Sequence, residues 1–288
     1  MQTEIIIATY NSPRALTLTL TSILNQRVAP NQVCIADDGS GSETSALIER
    51  YQRDHPGLNL RHVWHEDRGF EKWKIVNKAI ATSEAEFLIF LDGDVMIHPG
   101  FVARHLELAR PGRFSTGSLI RLGPETTAIV TEDMIKSGFV FDIDWLRAHG
   151  VIDRLGTWLK TMPLPKRVMA LMDRVTPVQR ALCGANASLF RQDALKVNGF
   201  DESIKYGGGD KEFGIRLTNA GIPGQHLRYT APLVHLDHPR SYRNPEEVQR
   251  HRTLIERAKS EKRTWTPQGI EKVSDPDQVA STDTAETP

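Results

Sequence analysis

With 288 residues, 39% of them apolar and 25% charged, the chain has globular composition and the length to bury a sizeable core, as one large α/β domain or two small ones. Lysine plus arginine and aspartate plus glutamate both number 36, so the formal net charge is zero and no general electrostatic pull toward nucleic acid or an anionic membrane exists, leaving only local patches. The two cysteines, Cys34 and Cys183, read as buried free thiols of a reducing compartment. No signal peptide and no apolar run near the ~20 residues of a spanning helix is visible, and a soluble cytoplasmic protein is expected.

In chain order, Glu4 to Thr9 reads as a buried strand, and Asn11-Ser12-Pro13 starts a helix whose Leu16, Leu20, Ile23 and Leu24 recur at helical spacing. Val33 to Ala36 is a second strand and Ser42 to Asp54 a second helix with Ser42 as its cap. Leu60 to Trp64 and Phe87 to Leu91 follow as strands, with a helix over Trp73 to Ala81 between them. Strict alternation of strand and helix predicts a mostly parallel α/β sheet flanked by helices on both faces, which binds ligands at the carboxyl ends of its strands. The polar tips there are Thr9-Tyr10-Asn11, Asp37-Asp38-Gly39-Ser40, His65-Glu66-Asp67 and Asp92-Gly93-Asp94, so acidic groups gather on one edge.

The second half is less regular. Residues 113 to 121, Ala185 to Phe190 and Leu227 to Thr230 read as strands; Asp193 to Val197, Asp210 to Ala220 and Glu246 to Lys262 read as helices. Residues 142 to 180 mix Trp145, Trp158, Met169 and Met172 with arginine and lysine, which predicts short helices forming a lid or side wall. The basic residues between 154 and 180 are either a solvated helix face or a contact with an anionic lipid-linked acceptor or the inner membrane face. The expected division is a domain over 1–240, with a nucleotide-binding half at 1–110 and an acceptor-binding half at 111–240, then a helix over 241–265 and a disordered tail over 266–288.

Asp92-Gly93-Asp94 carries the strongest chemical signal. The two-residue period of a strand end puts both carboxylates on one side, and Gly93 lets the backbone turn toward a ligand. Two carboxylates so close repel unless a cation lies between them, and Mg²⁺ or Mn²⁺ bridging to a diphosphate supplies that charge. The bland alternative is an acidic turn that caps the strand. Gly207-Gly208-Gly209-Asp210 likewise reads as a helix cap, or as glycines approaching an acceptor beside a carboxylate that takes the proton of its attacking hydroxyl.

Six motifs in order set these residues in a family. Ile5 to Asn11, Ala36-Asp37-Asp38-Gly39-Ser40, Asp67-Arg68-Gly69-Phe70 with Asn77-Lys78-Ala79-Ile80, Phe90 to Asp94, Cys183-Gly184-Ala185-Asn186, and Gly199-Phe200-Asp201-Glu202 with Gly207 to Phe213 resemble the GT-A-fold family-2 glycosyltransferases of the bacterial polysaccharide branch, including galactosyl- and N-acetylgalactosaminyltransferases. The resemblance implies a metal-dependent transferase of hexose or N-acetylhexosamine from a nucleotide sugar, expected to be UDP-linked, to a hydroxyl of a glycan or lipid-linked glycan of the bacterial surface. It places Thr9, Tyr10 and Asn11 at the base pocket, Asp37 or Asp38 at nucleobase and ribose, and Asp67, Gly69, Phe70 and Asn77 in the donor-proximal segment. Asp92 and Gly93 stand near ribose or metal, Asp94 is the direct metal ligand, and Asp210 is the catalytic base of an inverting transfer. A family arginine is replaced by Val76, so Lys72 or Lys74 is expected to supply its charge. Asn186, Gly208, Gly209 and Glu212 fall on the acceptor side, with Glu212 replacing an acid lost at Gly209. His238, with His235 second, closes the shell of Mn²⁺ or Mg²⁺. The competing readings are a haloacid-dehalogenase-type phosphatase with Asp92 as nucleophile and Asp94 as acid, a sugar nucleotidyltransferase, and a non-catalytic nucleotide- or carbohydrate-binding module.

Overall fold

The computed structural model describes residues 1–153, 155–162, 164–177, 181–239 and 245–272. Its first half runs β1 (Thr3–Thr9), α1 (Pro13–Leu24), β2 (Gln32–Asp37), α2 (Ser42–Asp54), β3 (Leu60–Trp64), α3 (Lys72–Ala81), β4 (Phe87–Asp92), β5 (Val95–Ile97) and α4 (Phe101–Leu108). Then come β6 (Phe114–Thr116), β7 (Leu119–Arg121), α5 (Pro124–Ile129), α6 (Glu132–Lys136), α7 (Ile143–Ala148), α8 (Leu155–Thr161) and α9 (Lys166–Val175). β8 (Ala187–Phe190), α10 (Arg191–Lys196), α11 (Gly209–Asn219), β9 (Gly224–His226), β10 (Leu233–His235) and α12 (Pro245–Ser260) complete the described chain.

The main sheet has seven strands in the order β3-β2-β1-β4-β8-β6-β9. β1 pairs with β2 and β4 in parallel, while β8 runs antiparallel to β4 and β6, so the sheet is mostly parallel and mixed at one side. Both faces are covered, and the alternating strand period sends neighbouring residues into different cores. Ile5, Ile7, Phe87, Ile89 and Leu91 pack with Leu16, Leu20 and Ile23 of α1 on one face. Ile6, Leu88 and Phe90 pack with Ile75, Ala79 and Ile80 of α3 and with Phe213 and Leu217 of α11 on the other. Each fully buried aliphatic side chain contributes about 1.5–3 kcal/mol. A second sheet, β5-β10-β7, carries a third core in which Met96, Ile120 and Val234 meet Ile135, Val140 and Leu146.

The elements of the first half lie where periodicity predicts them. The second half brings corrections. The expected strand over 113 to 121 divides into β6 and β7, which join different sheets. Asn186 packs at the break: its amide fills the place where a Cβ of Gly117 would stand, 2.2 Å from Nδ2, and donates to Ser118 O and Ala231 O. Leu227 to Thr230 is not a strand; the strands there are β9 and β10, separated by a turn closed by Ala231 N donating to Leu227 O. Gly41, not Ser42, occupies the cap position of α2. The tail does not loosen at Thr266: Thr266 is buried, Asn198 donates to Thr266 O and Glu271 O, and Ile270 packs on the α3–α11 core. Positions 273–288, the rest of the expected disordered tail, lie outside the described residues.

Candidate active site

Parallel pairing sets the ends of three strands side by side, with Thr9 opposite Asp37 and Ala8 opposite Asp92. β4 stops at Asp92 and β5 starts at Val95, so Gly93 and Asp94 form a short turn lying on β1. Gly93 N donates to Ala8 O at 2.8 Å, and a Cβ on Gly93 would stand 2.9 Å from Thr9 Oγ1 and 3.1 Å from Ala8 O. Only glycine lets the turn lie this close.

The two carboxylates of the turn have different partners. Asp92 Oδ1 accepts from Lys72 Nζ at 2.5 Å, and Lys72 also lies over the Trp73 ring. Burial opposes charge on both groups, yet their mutual attraction prevails: the Asp92 carboxyl lies below its usual range and the Lys72 ammonium above its own. Asp94 has no such lysine or arginine ion pair among the described residues. Its Oδ1 is buried and without a hydrogen-bond partner among the described residues, and burial pushes its carboxyl above the usual range.

Two histidines face it. β10 pairs antiparallel with β5 so that His235 stands opposite Val95, and Leu236 N donates to Asp94 O at 3.0 Å. This register brings His235 Nε2 to 3.6 Å from Asp94 Oδ1 and His238 Nε2 to 3.4 Å from Asp94 Oδ2. In each ring Nδ1 meets a backbone carbonyl, Leu236 O at 2.5 Å and Pro239 O at 3.0 Å. A carbonyl only accepts, so both Nδ1 atoms are the donors, and Nε2 is the ring atom that each histidine turns toward Asp94. Asp94, His235 and His238 thus offer three ligand atoms within 4.8 Å of one another. Ligands about 2.1 Å from one octahedral ion stand about 3–4 Å apart, so the donor set fits a divalent cation. A backbone carbonyl holding Nδ1 fixes each ring's orientation, as is common for metal-binding histidines.

The neighbouring strand tips carry a cluster of polar groups. Tyr10 is half exposed and its hydroxyl donates to Asp67 Oδ2 at 2.9 Å, while Asp67 Oδ1 accepts from Gly69 N at 2.9 Å, closing a tight turn at Gly69, whose φ is +84°. Asn11 braces this rim: its N–H donates to Ser40 Oγ and its Oδ1 accepts from Gly41 N. Thr9 is buried beneath, with Oγ1 free of partners among the described residues. Asp38 accepts at Oδ1 from His65 Nε2 and at Oδ2 from Glu71 N; burial holds its carboxyl above the usual range despite both contacts. Phe70 packs edge-on against Tyr206.

Asp210 opens α11 across from the Asp-Gly-Asp turn. Its Oδ2 accepts from Gly184 N at 3.2 Å and its Oδ1 from Lys211 N at 2.9 Å. Burial pushes its carboxyl up, opposed by these N–H groups and by Lys72, which therefore acts on both Asp92 and Asp210. Trp73 lies beneath, stacked on Phe200 at 4.5 Å, with a buried Nε1 that has no hydrogen-bond partner among the described residues.

Several predicted contacts are corrected by burial. Asn77 is buried and closes a loop, accepting from Phe200 N and donating to Phe200 O and Glu202, so it supports the donor side from within and does not face it. Asn186 is fully buried in the core, as above. Glu212 forms a two-pronged ion pair with the fully buried Arg216, at 2.7 and 2.8 Å, and cannot replace an acceptor-binding acid. Asp37 has no exposure; it accepts from Ser40 N and pairs with His62, which together hold its carboxyl low against burial. Gly208 and Gly209 leave room for protein: Cβ atoms there would stand 2.6 Å from Ile255 and 2.3 Å from Trp73 Nε1. Lys74 pairs with Glu71 near the surface, and Lys72 alone enters the cluster. In the sequence, His65 and Gly184 stand in a polar strand tip and a family motif without a role of their own, and Trp73 reads only as the start of a helix.

The sheet order and a DxD turn faced by two histidines define the GT-A class of glycosyltransferase fold. The fold superposes on S. aureus TarS 1-349 in complex with UDP with TM-score 0.57 at 18% identity, covering 91% of this chain and 68% of that one. It superposes on GalNAc-T7 with UDP, GalNAc and Mn²⁺ with TM-score 0.60 at 12% identity, covering 91% and 49%. The chain belongs to glycosyl transferase family 2, whose profile matches residues 4–196, and the profile of the N-terminal domain of galactosyltransferase matches 171–239. It is 28% identical over 231 residues to validoxylamine A glucosyltransferase of Streptomyces hygroscopicus subsp. limoneus, covering 76% of this chain and 48% of the relative. It is 27% identical over 245 residues to chondroitin synthase of Pasteurella multocida, covering 76% and 23%. The chain thus spans about half the length of the first relative and about a quarter of the second. Family membership sets aside the phosphatase reading, in which the acidic turn would follow a first strand; here it follows the fourth.

Proposed function

We propose that the protein transfers a hexose or N-acetylhexosamine from a nucleoside diphosphate sugar, UDP-linked, to a hydroxyl of a bacterial surface-glycan acceptor, with inversion at the anomeric carbon. The observation that carries this reading is Asp94, whose Oδ1 has no hydrogen-bond partner among the described residues, facing the Nε2 atoms of His235 and His238 just beyond β4. Asp94, His235 and His238 would hold Mn²⁺ or Mg²⁺. When bound, that cation supplies positive charge to the departing nucleoside diphosphate.

The chain's own groups divide the remaining work. Lys72 balances Asp92, so the turn presents one net carboxylate, that of Asp94. Thr9, Tyr10, Asp38 and Asp67 offer hydroxyl and carboxylate oxygens to base and ribose. Asp210, held by Gly184 N and Lys211 N, receives the acceptor hydroxyl's proton as that oxygen bonds to the anomeric carbon and the bond to the diphosphate breaks on the opposite face. The UDP reading is supported by relatives of this fold solved with UDP; one solved with GDP-Man and Mn²⁺ keeps the nucleotide an experimental question.

A mass-spectrometric screen of UDP-, GDP- and dTDP-sugars against glycan acceptors, with Mn²⁺ or with chelator, tests the reading. Transfer from a UDP-sugar that stops on chelation is the expected result. Exclusive use of a GDP- or dTDP-sugar overturns the nucleotide, and full turnover in excess chelator overturns the cation.

A further inference from the structure

The outer face of α9 departs from the rest of the surface. Val168, Leu171 and Val175 are 43%, 58% and 65% exposed, although apolar side chains of this size normally turn inward. At 3.6 residues per turn these three share one arc with the exposed Arg167 and Arg174, covering about a third of the circumference. No carboxylate lies on that arc: the helix's one acid, Asp173, is buried on the far side. Neither arginine has an ion-pair partner among the described residues, whereas Lys166, off the arc, is paired with Glu107.

The buried side ties α9 to the active site. Asp173 Oδ1 accepts from Tyr229 N at 2.8 Å and Oδ2 from Thr230 Oγ1 at 2.5 Å, just ahead of the strand that carries His235. Beyond the helix, Ala181 O accepts from Thr116 Oγ1, which in turn accepts from Cys183 N, beside the Gly184 that holds Asp210.

We infer that the outer face of α9 seats the protein on an anionic membrane surface, with Val168, Leu171 and Val175 entering the interface and Arg167 and Arg174 meeting lipid phosphates. Charge complementarity decides for this occupant, because an apolar stripe edged only by cations matches a bilayer with acidic headgroups. The ten-residue helix is about 15 Å long, so it lies on the surface and does not cross it. No helix of the described residues is long and apolar enough to cross a membrane. The seating deepens the acceptor reading above and rests on it only for a lipid-anchored acceptor.

Flotation of the full chain with phosphatidylcholine vesicles, with and without phosphatidylglycerol, tests the seating without any turnover. Binding to the phosphatidylglycerol vesicles that weakens with salt is expected. The double variant Arg167→Glu/Arg174→Glu should lose about thirtyfold or more in partitioning, each removed cation giving several-fold. Leu171→Glu should likewise stop flotation, and both variants should keep wild-type donor use with a soluble acceptor, since their side chains are exposed and outside the site. No flotation with anionic vesicles overturns the proposal, as does flotation that the variants leave unchanged. A dimer in lipid-free solution that Leu171→Glu dissolves also overturns it, by giving the face to a second copy. Failure of donor use with intact vesicle binding would instead refute the transferase reading alone.

Discussion

Lys72 Nζ stands 2.5 Å from Asp92 Oδ1, while Asp94, two residues on, meets no lysine or arginine at all among the described residues. The Asp-Gly-Asp turn is therefore asymmetric: one carboxylate is paired with a lysine, and the other faces two imidazoles. Two consequences of this asymmetry can be measured, at Asp94 and at Lys72.

Asp94→Ala should abolish Mn²⁺ binding by calorimetry and reduce transfer by more than about 100-fold, because a direct ligand outweighs the 10–100-fold typical of outer-shell partners. The fold should persist by circular dichroism, since burial already disfavours the Asp94 charge. His235→Ala and His238→Ala should each raise the Mn²⁺ concentration needed for half-maximal rate. Unchanged Mn²⁺ binding in all three variants would remove the site.

Lys72→Met leaves Asp92 without its counter-charge at a mostly buried position and should cost about 1–3 kcal/mol at pH 7. The sign of its pH dependence follows from Asp92, whose carboxyl Lys72 holds below the usual range. The pair's contribution is complete above about pH 3.9, the unfolded value, and is lost as pH falls through the lower folded value. Urea unfolding at pH 7 and pH 3 should show a gap between wild type and variant that narrows at the lower pH.

Asp210→Asn should cut kcat by about 10²–10⁴-fold with little change in donor or Mn²⁺ affinity. Burial raises the Asp210 carboxyl, so the acid limb of the wild-type pH–rate profile should lie above the ~3.9 of a free aspartate. Near-normal turnover of the variant, or a product retaining the donor's anomeric configuration by NMR, would reject Asp210 as the base.

Glu212→Ala separates structure from acceptor binding. It strands the fully buried Arg216, which also donates to Gly199 O at 2.8 Å and to Val197 O, and should cost about 3–5 kcal/mol. That lowers Tm by about 6 °C or more. A variant that melts like wild type and differs only in acceptor KM would restore the acceptor role.

The sequence by itself determined the parallel βα half and the Asp92-Gly93-Asp94 turn at the end of an apolar strand. These are local facts: strand and helix periods state which residues are buried, and a strand's end must carry the groups that follow it. Only the tertiary structure decided which partners those groups have. His235 reaches Asp94 because β10 pairs with β5 in one register, and Lys72 outranks Lys74 because α3 turns one toward Asp92 and the other toward Glu71. Asn77, Asn186 and Glu212 have the residue types of a ligand site, and their burial against Phe200, Ala231 and Arg216 assigns them to the frame instead. A polar side chain's partner lies far along the chain, and no periodicity near the residue records whether that partner is a backbone carbonyl, a cation or a ligand.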